Sequence, residues 1–94
     1  MRTSAQRRVQ GGKQVRVYLE IEGGTVTAAE VSGDFFIYPE EGLKALEDSL
    51  VGLSASTTED SVLVLVEDIF GSHGITALGF GPRDLARTIW EAFR

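Results

Sequence analysis

The sequence predicts an α+β domain in which a three-stranded antiparallel sheet (β-β-β) is packed by about three helices in two layers. Two patterns along the chain predict this fold. Apolar residues alternate in three short segments before residue 39, and they recur at helical spacing in three segments after it. The length of 94 residues fits one small domain with a single modest core.

The first two strands are predicted to form a hairpin over residues 13–21 and 25–32. Gly23 and Gly24 separate them, and glycines supply the positive φ angles that tight turns need. A short third strand is predicted at residues 35–38. The side chains expected on the buried face of the hairpin are Val15, Val17, Leu19, Ile21, Val26, Ala28 and Val31.

The first helix is predicted to begin at Pro39, because a missing N–H costs little in the first turn of a helix. Gly52 is a natural stop after its last turn. The apolar residues between them recur at i, i+3 and i+7, so one face of this helix is expected against the sheet. These residues are Leu43, Leu46 and Leu50.

The segment over residues 62–70 fits either a helix or a strand, because its first five residues are all apolar. A capping-box pattern at Ser56 and Glu59, with Gly71 as a terminator, favours the helix. A last helix is predicted to begin at Pro82. The loop before it is expected to be anchored to the core by Ile75, Leu78 and Phe80.

The composition excludes several kinds of site. The chain has no cysteine and one histidine, His73, so thiolate metal sites, disulfides and a cysteine nucleophile are excluded and no metal site is predicted. Four pairs of adjacent acids fall in the predicted helices, where solvated helix faces and caps explain them better than acid–base catalysis. No catalytic residue is predicted, and no apolar run is long enough to span a membrane.

The charge is unevenly distributed around a net value of −5. Residues 1–11 are polar and basic, so a flexible basic N-terminal arm is predicted there and a folded domain over residues 12–94. The acidic remainder argues against nucleic-acid binding. The basic residues that precede the first acid, Glu20, are Arg2, Arg7, Arg8, Lys13 and Arg16.

Two short segments carry weaker signals. Gly11, Gly12 and Lys13 form an arrangement that lets a backbone approach a phosphate, although a flexible entry into the first strand explains them better on physical grounds. Phe35 and Phe36 are adjacent on a predicted strand, so their side chains face opposite ways. Two interpretations of this segment remain open. It is either a short strand covered by loops on both sides or a strand edge that binds a partner.

Residues 31–52 resemble the accessory C-terminal domain of lipoate–protein ligases. The strand that begins at Gly12 and the helix that begins at Pro82 also look similar, so the resemblance covers nearly all of residues 11–93. The family fold resembles that of iron–sulfur assembly scaffold proteins, and the missing cysteines exclude a scaffold role itself. The residues that match the family's "GDFF" signature are Gly33, Asp34, Phe35 and Phe36.

The resemblance implies a non-catalytic small subunit that acts with a separate large catalytic subunit, as a heterodimer in the cytoplasm. The complex uses ATP, Mg²⁺ and lipoate to form lipoyl-adenylate. It then transfers the lipoyl group to acceptor domains of 2-oxoacid dehydrogenases or the glycine cleavage H protein. The large subunit carries the lipoate pocket and the catalytic lysine, so this chain alone is expected to hold no cofactor and to bind neither nucleic acid nor membrane.

The resemblance also suggests which residues act in the complex. Gly12 and Lys13 match the start of the family's first strand and are expected near the adenylate. The contact with the large subunit is expected to be shaped by Gly33, Asp34, Phe35 and Phe36. Each prediction has an alternative that stays open. Asp34 could only cap its own turn. The chain as a whole could be an interaction module that tethers or regulates a lipoylation enzyme without a role in adenylation.

Overall fold

The computed structural model describes residues 1–9, 11 and 13–93. Its elements confirm the predicted α+β class, with a three-stranded antiparallel sheet and three helices. In chain order they are β1 (Arg2–Arg8), β2 (Gln14–Glu22), β3 (Thr25–Gly33), β4 (Phe36–Tyr38), α1 (Glu41–Leu50), α2 (Glu59–Ser72), β5 (Thr76–Leu78) and α3 (Pro82–Ala92).

The central strand of the main sheet is β2, which pairs with β1 on one side and with β3 on the other. Its apolar residues alternate as predicted, and all four are buried. The polar residues between them face away from the helices, and Tyr18 among them is 44% exposed. The sheet therefore has one face on the core and one open face.

The register of β2 with β3 shifts near the hairpin turn. Ile21 pairs with Val26 but Glu20 pairs with Ala28, so Thr27 is an extra residue on β3. Because one extra residue reverses the alternation of a strand, Val31 is buried and Ala28 is exposed. The prediction that Ala28 faces the core is therefore wrong.

The predicted flexible arm is also wrong over Arg2–Arg8, which form strand β1 along β2 without a break in register. Thr3 Oγ1 donates a hydrogen bond of 2.8 Å to Ala92 O, and Ala5 packs against the core. The ion pair between Arg7 and Glu91 spans 3.7 Å at the surface and contributes at most about 1 kcal/mol. Ladder hydrogen bonds and contact with α3 therefore order this segment more than charge does.

The predicted third strand does not join the main sheet. β4 pairs instead with β5 in a separate two-stranded sheet; β4 and β5 together are called the ribbon below. Its inner residue Ile37 packs against α1, where a Cβ on Gly42 would lie 3.3 Å from Ile37 Cγ2 and 2.7 Å from Ile75 Cγ1. Only glycine at position 42 lets the helix approach the ribbon so closely.

The helices differ from the predictions mainly at their first residues. α1 begins at Glu41, two residues after the predicted Pro39. α2 settles the ambiguous segment as helix, and its cap is Thr58, whose Oγ1 accepts a 3.1 Å hydrogen bond from the N–H of Ser61. The predicted capping box at Ser56 is thus displaced by two residues. α3 begins at Pro82 as predicted.

The helices cover the inner face of the main sheet. α1 contacts β3, α3 contacts β1 and β2, and α2 packs on both other helices. In the core, Leu46 and Leu50 of α1 and Leu85 and Ile89 of α3 are at most 1% exposed. Within the described residues, no helix is long and apolar enough to cross a membrane.

The two edges of the main sheet differ in how far their backbone groups are hydrogen-bonded. The outer edge of β3 is occupied: Val26 exchanges backbone hydrogen bonds of 2.9 and 2.8 Å with Leu53 and Gly52, and the Glu47 carboxylate accepts one of 2.8 Å from the N–H of Val31. No strand within the described residues pairs with the outer edge of β1. Half of the backbone groups of β1 therefore face solvent.

We predict that amide hydrogen exchange will show this alternation along β1. Ile21 and Met1 exchange backbone hydrogen bonds, so the amides of Thr3 and Ala5 point toward β2 and those of Ser4 and Gln6 point away. The amides of Thr3 and Ala5 should exchange at least about tenfold more slowly than those of Ser4 and Gln6. Uniformly fast exchange over all four residues would instead support a flexible arm.

Candidate functional site

The chain leaves β3 at Gly33, where it passes close to the backbone of β2. A Cβ at this position would collide with the carbonyl oxygen of Gln14 and would lie 2.8 Å from the ring of Phe35. The φ angle of Gly33 is +153°, which is unfavourable for other residues. Gly33 is therefore required by the fold, and its part in shaping a subunit contact stays a prediction.

Asp34 closes this junction through reciprocal hydrogen bonds with Gln14. The Gln14 N–H donates to Asp34 Oδ1, and the Asp34 N–H donates to the Gln14 carbonyl oxygen at 3.2 Å. The hydrogen bond from the Gln14 N–H lowers the pKa of the Asp34 carboxyl, with smaller contributions from the charges of Lys13 and Arg8. Asp34 thus joins the start of β2 to the end of β3, so its side chain does more than cap its own turn.

Phe35 and Phe36 face opposite ways, as predicted. The Phe35 ring packs edge-to-face on Phe80 with ring centroids 4.7 Å apart, and Phe80 also contacts Phe70. Phe36 is 78% exposed. Of the two adjacent aromatic residues, Phe35 is therefore an anchor for the segment before α3, and only Phe36 is open to a partner.

Lys13 lies beside the segment that leads into α3. A Cβ on Gly79 would lie 3.3 Å from Lys13 Cγ and 3.1 Å from Phe35 Cβ, so the alkyl chain of Lys13 rests on the Gly79 backbone. Lys13 itself is exposed. The structure thus brings Lys13 and Phe35 of the "GDFF" signature together at Gly79, while Gly12, the other predicted adenylate-side residue, lies outside the described residues.

Gly79, which Lys13 contacts, lies two residues before Gly81, the N-cap of α3, and the first turn of this helix is already capped. The Gly81 N–H donates a 2.9 Å hydrogen bond to Asp84 Oδ2, and Pro82 carries no N–H. A carboxylate in the first turn offsets the positive end of the helix dipole. Positive charge at this edge is therefore supplied by side chains such as Lys13 and Arg8 rather than by the end of the helix.

The outer face of the ribbon was only partly predicted. Tyr38 follows Phe36 by two residues and is 76% exposed, and Leu78, which pairs with Phe36 across the ribbon, is 64% exposed. The predicted core anchors Ile75 and Phe80 are buried, but the prediction for Leu78 is wrong. The i, i+2 spacing could have identified Tyr38, whereas Leu78 is recognised only once β4 and β5 are known to pair.

Titratable side chains outside this region, such as His73, Lys44 and Asp48, lie exposed at the surface. His73 is exposed just after α2, and Lys44 and Asp48 of α1 form an exposed i, i+4 pair at 2.9 Å. Among the described residues, no group of three or more acidic or histidine side chains is arranged to hold a metal ion. The charged side chains near the "GDFF" signature are therefore Lys13 and Arg8, which both act on Asp34, and Lys13 is the one predicted to lie near the adenylate.

Comparison with known proteins agrees with this fold. No protein-family model matches the chain. It is 31% identical over 75 residues to lipoate-protein ligase A subunit 2 of Thermoplasma acidophilum, covering 80% of this chain and 74% of that protein. A solved chain from an archaeal lipoylation system of the same organism, a bipartite lipoate protein ligase with its E2 lipoyl domain, superimposes with a TM-score of 0.76 at 28% identity. That match covers 100% of this chain and 96% of the other.

The fold and these matches place the chain in the class of accessory subunits of two-part ligases. More narrowly, the chain belongs to the lipoate–protein ligase family, as a relative of its small subunit. The resemblance suggested by the "GDFF" signature is thereby confirmed.

We predict a pH-dependent contribution of Asp34 to stability. Its pKa is lowered in the folded chain relative to about 3.9 in an unfolded one, so the unfolded state takes up the proton first as the pH falls. The contribution is present above about pH 4 and is lost as the pH falls through the folded-state pKa. The difference in unfolding free energy between wild type and Asp34→Asn should therefore be constant from about pH 5 to 7 and shrink below about pH 4.

An exposed carboxylate of α2 provides the control for this experiment. Asp68→Asn removes one negative charge from an exposed position outside the junction. A pKa of Asp34 at or above its unfolded value of about 3.9 in an NMR titration would contradict the assignment. So would a wild-type advantage that persists unchanged to pH 2.

Proposed function

We propose that this chain is the non-catalytic small subunit of a lipoate–protein ligase and that its large subunit needs it to activate lipoate with ATP. The observation that carries the proposal is the match to a subunit of a bipartite ligase over 80% of this chain. The superposition over the whole chain supports the same conclusion. The lipoate pocket and the catalytic lysine are assigned to the large subunit.

In the proposed reaction, the lipoate carboxylate attacks the α-phosphorus of ATP, and pyrophosphate leaves as lipoyl-adenylate forms. Mg²⁺, ATP and lipoate are bound by the complex rather than by this chain alone. The ε-amine of a lysine on an acceptor domain then attacks the acyl carbon, so that an amide forms, the acyl–phosphate bond breaks, and AMP and a proton are released. Two classes of acceptor fit this chemistry, the E2 lipoyl domains of 2-oxoacid dehydrogenases and the glycine cleavage H protein, and the reaction is placed in the cytoplasm.

Within this reaction we assign Lys13 a place beside the phosphates. An exposed ammonium at the edge of a domain supplies positive charge where negative charge accumulates on a phosphoryl group in the transition state. Two features support the assignment. The stem of Lys13 is held against Gly79, where a Cβ would lie 3.3 Å from Lys13 Cγ, and Lys13 itself is exposed at this edge of the domain.

A second candidate function is a tether that binds the ligase without affecting adenylation. The exposed apolar side chains of the ribbon favour binding in either case. The two functions differ in their effect on the first half-reaction. A required subunit is needed for pyrophosphate release, whereas a tether changes only delivery to the acceptor.

We predict that Lys13→Ala will slow lipoyl-adenylate formation by the mixed subunits by about tenfold or more, because one charge contact to the transition state is lost. Pyrophosphate release should be measured at saturating large subunit, so that weakened binding does not mimic slowed chemistry. Lys44→Ala is the matched control, since Lys44 is an exposed lysine on α1 whose side chain is paired with Asp48.

Three outcomes separate the possibilities. Slower pyrophosphate release with Lys13→Ala and an unchanged rate with Lys44→Ala support the assignment. Equal rates for both variants and wild type contradict the role of Lys13. Full pyrophosphate release by the large subunit alone contradicts the required-subunit function and favours the tether.

A further inference from the structure

The outer face of the ribbon is a continuous apolar surface. Phe36 and Tyr38 lie on the same side of β4, because side chains two residues apart on a strand share a face. Leu78 lies directly opposite Phe36 on β5, so its side chain joins them on that face. Each of the three is between 64% and 78% exposed.

Other exposed apolar residues in the described part of the chain do not cluster in this way. Met1 precedes β1, Val64 lies on α2, Val51 follows α1 and Tyr18 lies on the open face of the main sheet. Scattered apolar residues are ordinary on a protein surface, whereas a contiguous patch often marks a binding site. The ribbon is therefore the strongest candidate for a protein contact.

The ribbon is also held in place from behind. Ile37 and Ala77, on its inner face, pack against the core, and Gly42 lets α1 approach Ile37 closely. A surface supported in this way needs little ordering when it binds, so less of the interaction energy is lost to conformational entropy.

We propose that the outer face of the ribbon, formed by Phe36, Tyr38 and Leu78, is the docking surface for the large catalytic subunit. This inference rests on the proposed function and adds to it the residues that make the contact. The "GDFF" signature then contributes to binding mainly through Phe36. Gly33, Asp34 and Phe35 shape the junction that presents it.

The size of the patch argues for a large partner rather than a second copy of this chain. An aromatic side chain carries about 150–250 Å² of surface, so three side chains at these exposures offer on the order of 400 Å². A stable interface usually buries about 800 Å² on each partner. Two ribbons stacked on each other therefore fall short, and the occupant must extend onto neighbouring surface.

The neighbouring surface leads to Lys13. Gly79 directly follows Leu78, and Lys13 rests on Gly79. A partner that covers the ribbon and continues past Leu78 would thus bring its own surface to the Lys13 ammonium. At the other end of the ribbon, the exposed acids Glu40 and Glu41 follow Tyr38. The complementary surface is therefore apolar in the centre and basic beside Tyr38.

The test is to measure the dissociation constant of this chain for the large subunit by calorimetry. Phe36→Ser should raise the Kd by about tenfold or more, and the double change Phe36→Ser with Leu78→Ser should raise it further. Val64→Ser removes a side chain of similar exposure (65%) from α2 and should change the Kd less than about twofold. Thermal unfolding of each variant confirms that the domain is folded.

A second measurement does not depend on apolar residues. Replacing Glu40 and Glu41 together with lysine should slow association with the large subunit by about threefold or more at low salt, because rim charges mainly affect association rates. The same change at Glu67 and Asp68, exposed acids of α2, is the control. Equal rates for the two double variants would count against a basic rim on the partner.

The outcomes distinguish failure of this inference from failure of the proposed function. If wild type binds the large subunit and the Phe36→Ser, Leu78→Ser variant binds with a Kd within twofold, the ribbon is not the docking surface but the proposed function survives. If wild type does not bind at all, the proposed function fails as well. A dimer of this chain that the double variant dissociates would show that a second copy occupies the ribbon.

Discussion

The close backbone contact between Gly33 and Gln14 is the constraint on which the candidate site depends. It carries the chain out of the main sheet without a side chain between the two strands, and the hydrogen bonds between Gln14 and Asp34 fix the direction in which it leaves. One residue later, Phe35 turns inward to meet Phe80 and Phe36 turns outward. A single junction thus determines which aromatic residue anchors the fold and which one is free to bind.

The same junction also lies between the two proposed contacts of the subunit, the one that Lys13 makes with a phosphate and the one that the ribbon makes with a partner. Lys13 is one residue before Gln14, so the hydrogen bonds that hold the end of β3 also hold the base of Lys13. Gly79 lies between Lys13 and Phe35 and directly follows β5. A partner docked on the ribbon would therefore lie beside a phosphate held near Lys13, which is the arrangement expected if an accessory subunit completes an active site on a larger one.

Strong local patterns made much of the fold predictable. The buried face of β2 and the start of α3 followed from alternation and from Pro82. β1 was missed because Thr3, Ser4 and Gln6 give no apolar alternation, and its order comes from pairing with β2 and contact with α3. Ala28 was misplaced because the extra residue Thr27 has no sequence signal that marks it.

The residues of the candidate site also divide into those that the sequence indicates and those that only the fold reveals. The signature drew attention to Phe36, and the alternation of strand side chains explained why only one of its two aromatic residues is exposed. Leu78 was assigned to the core because an apolar residue in a glycine-rich loop usually anchors that loop. Its exposure follows from pairing between β4 and β5, which are far apart in sequence. Contacts of that kind depend on the tertiary fold and leave little trace in either segment alone.

The most direct test of the account is to map the bound surface by NMR. Spectra of the isotope-labelled chain would be recorded with and without its unlabelled large subunit. Amide shift changes and line broadening should concentrate at residues 36–38, 76–79 and Lys13, with little change around Val64 on α2. Perturbations centred on α2 or on the open sheet face around Tyr18, with the ribbon unaffected, would contradict it.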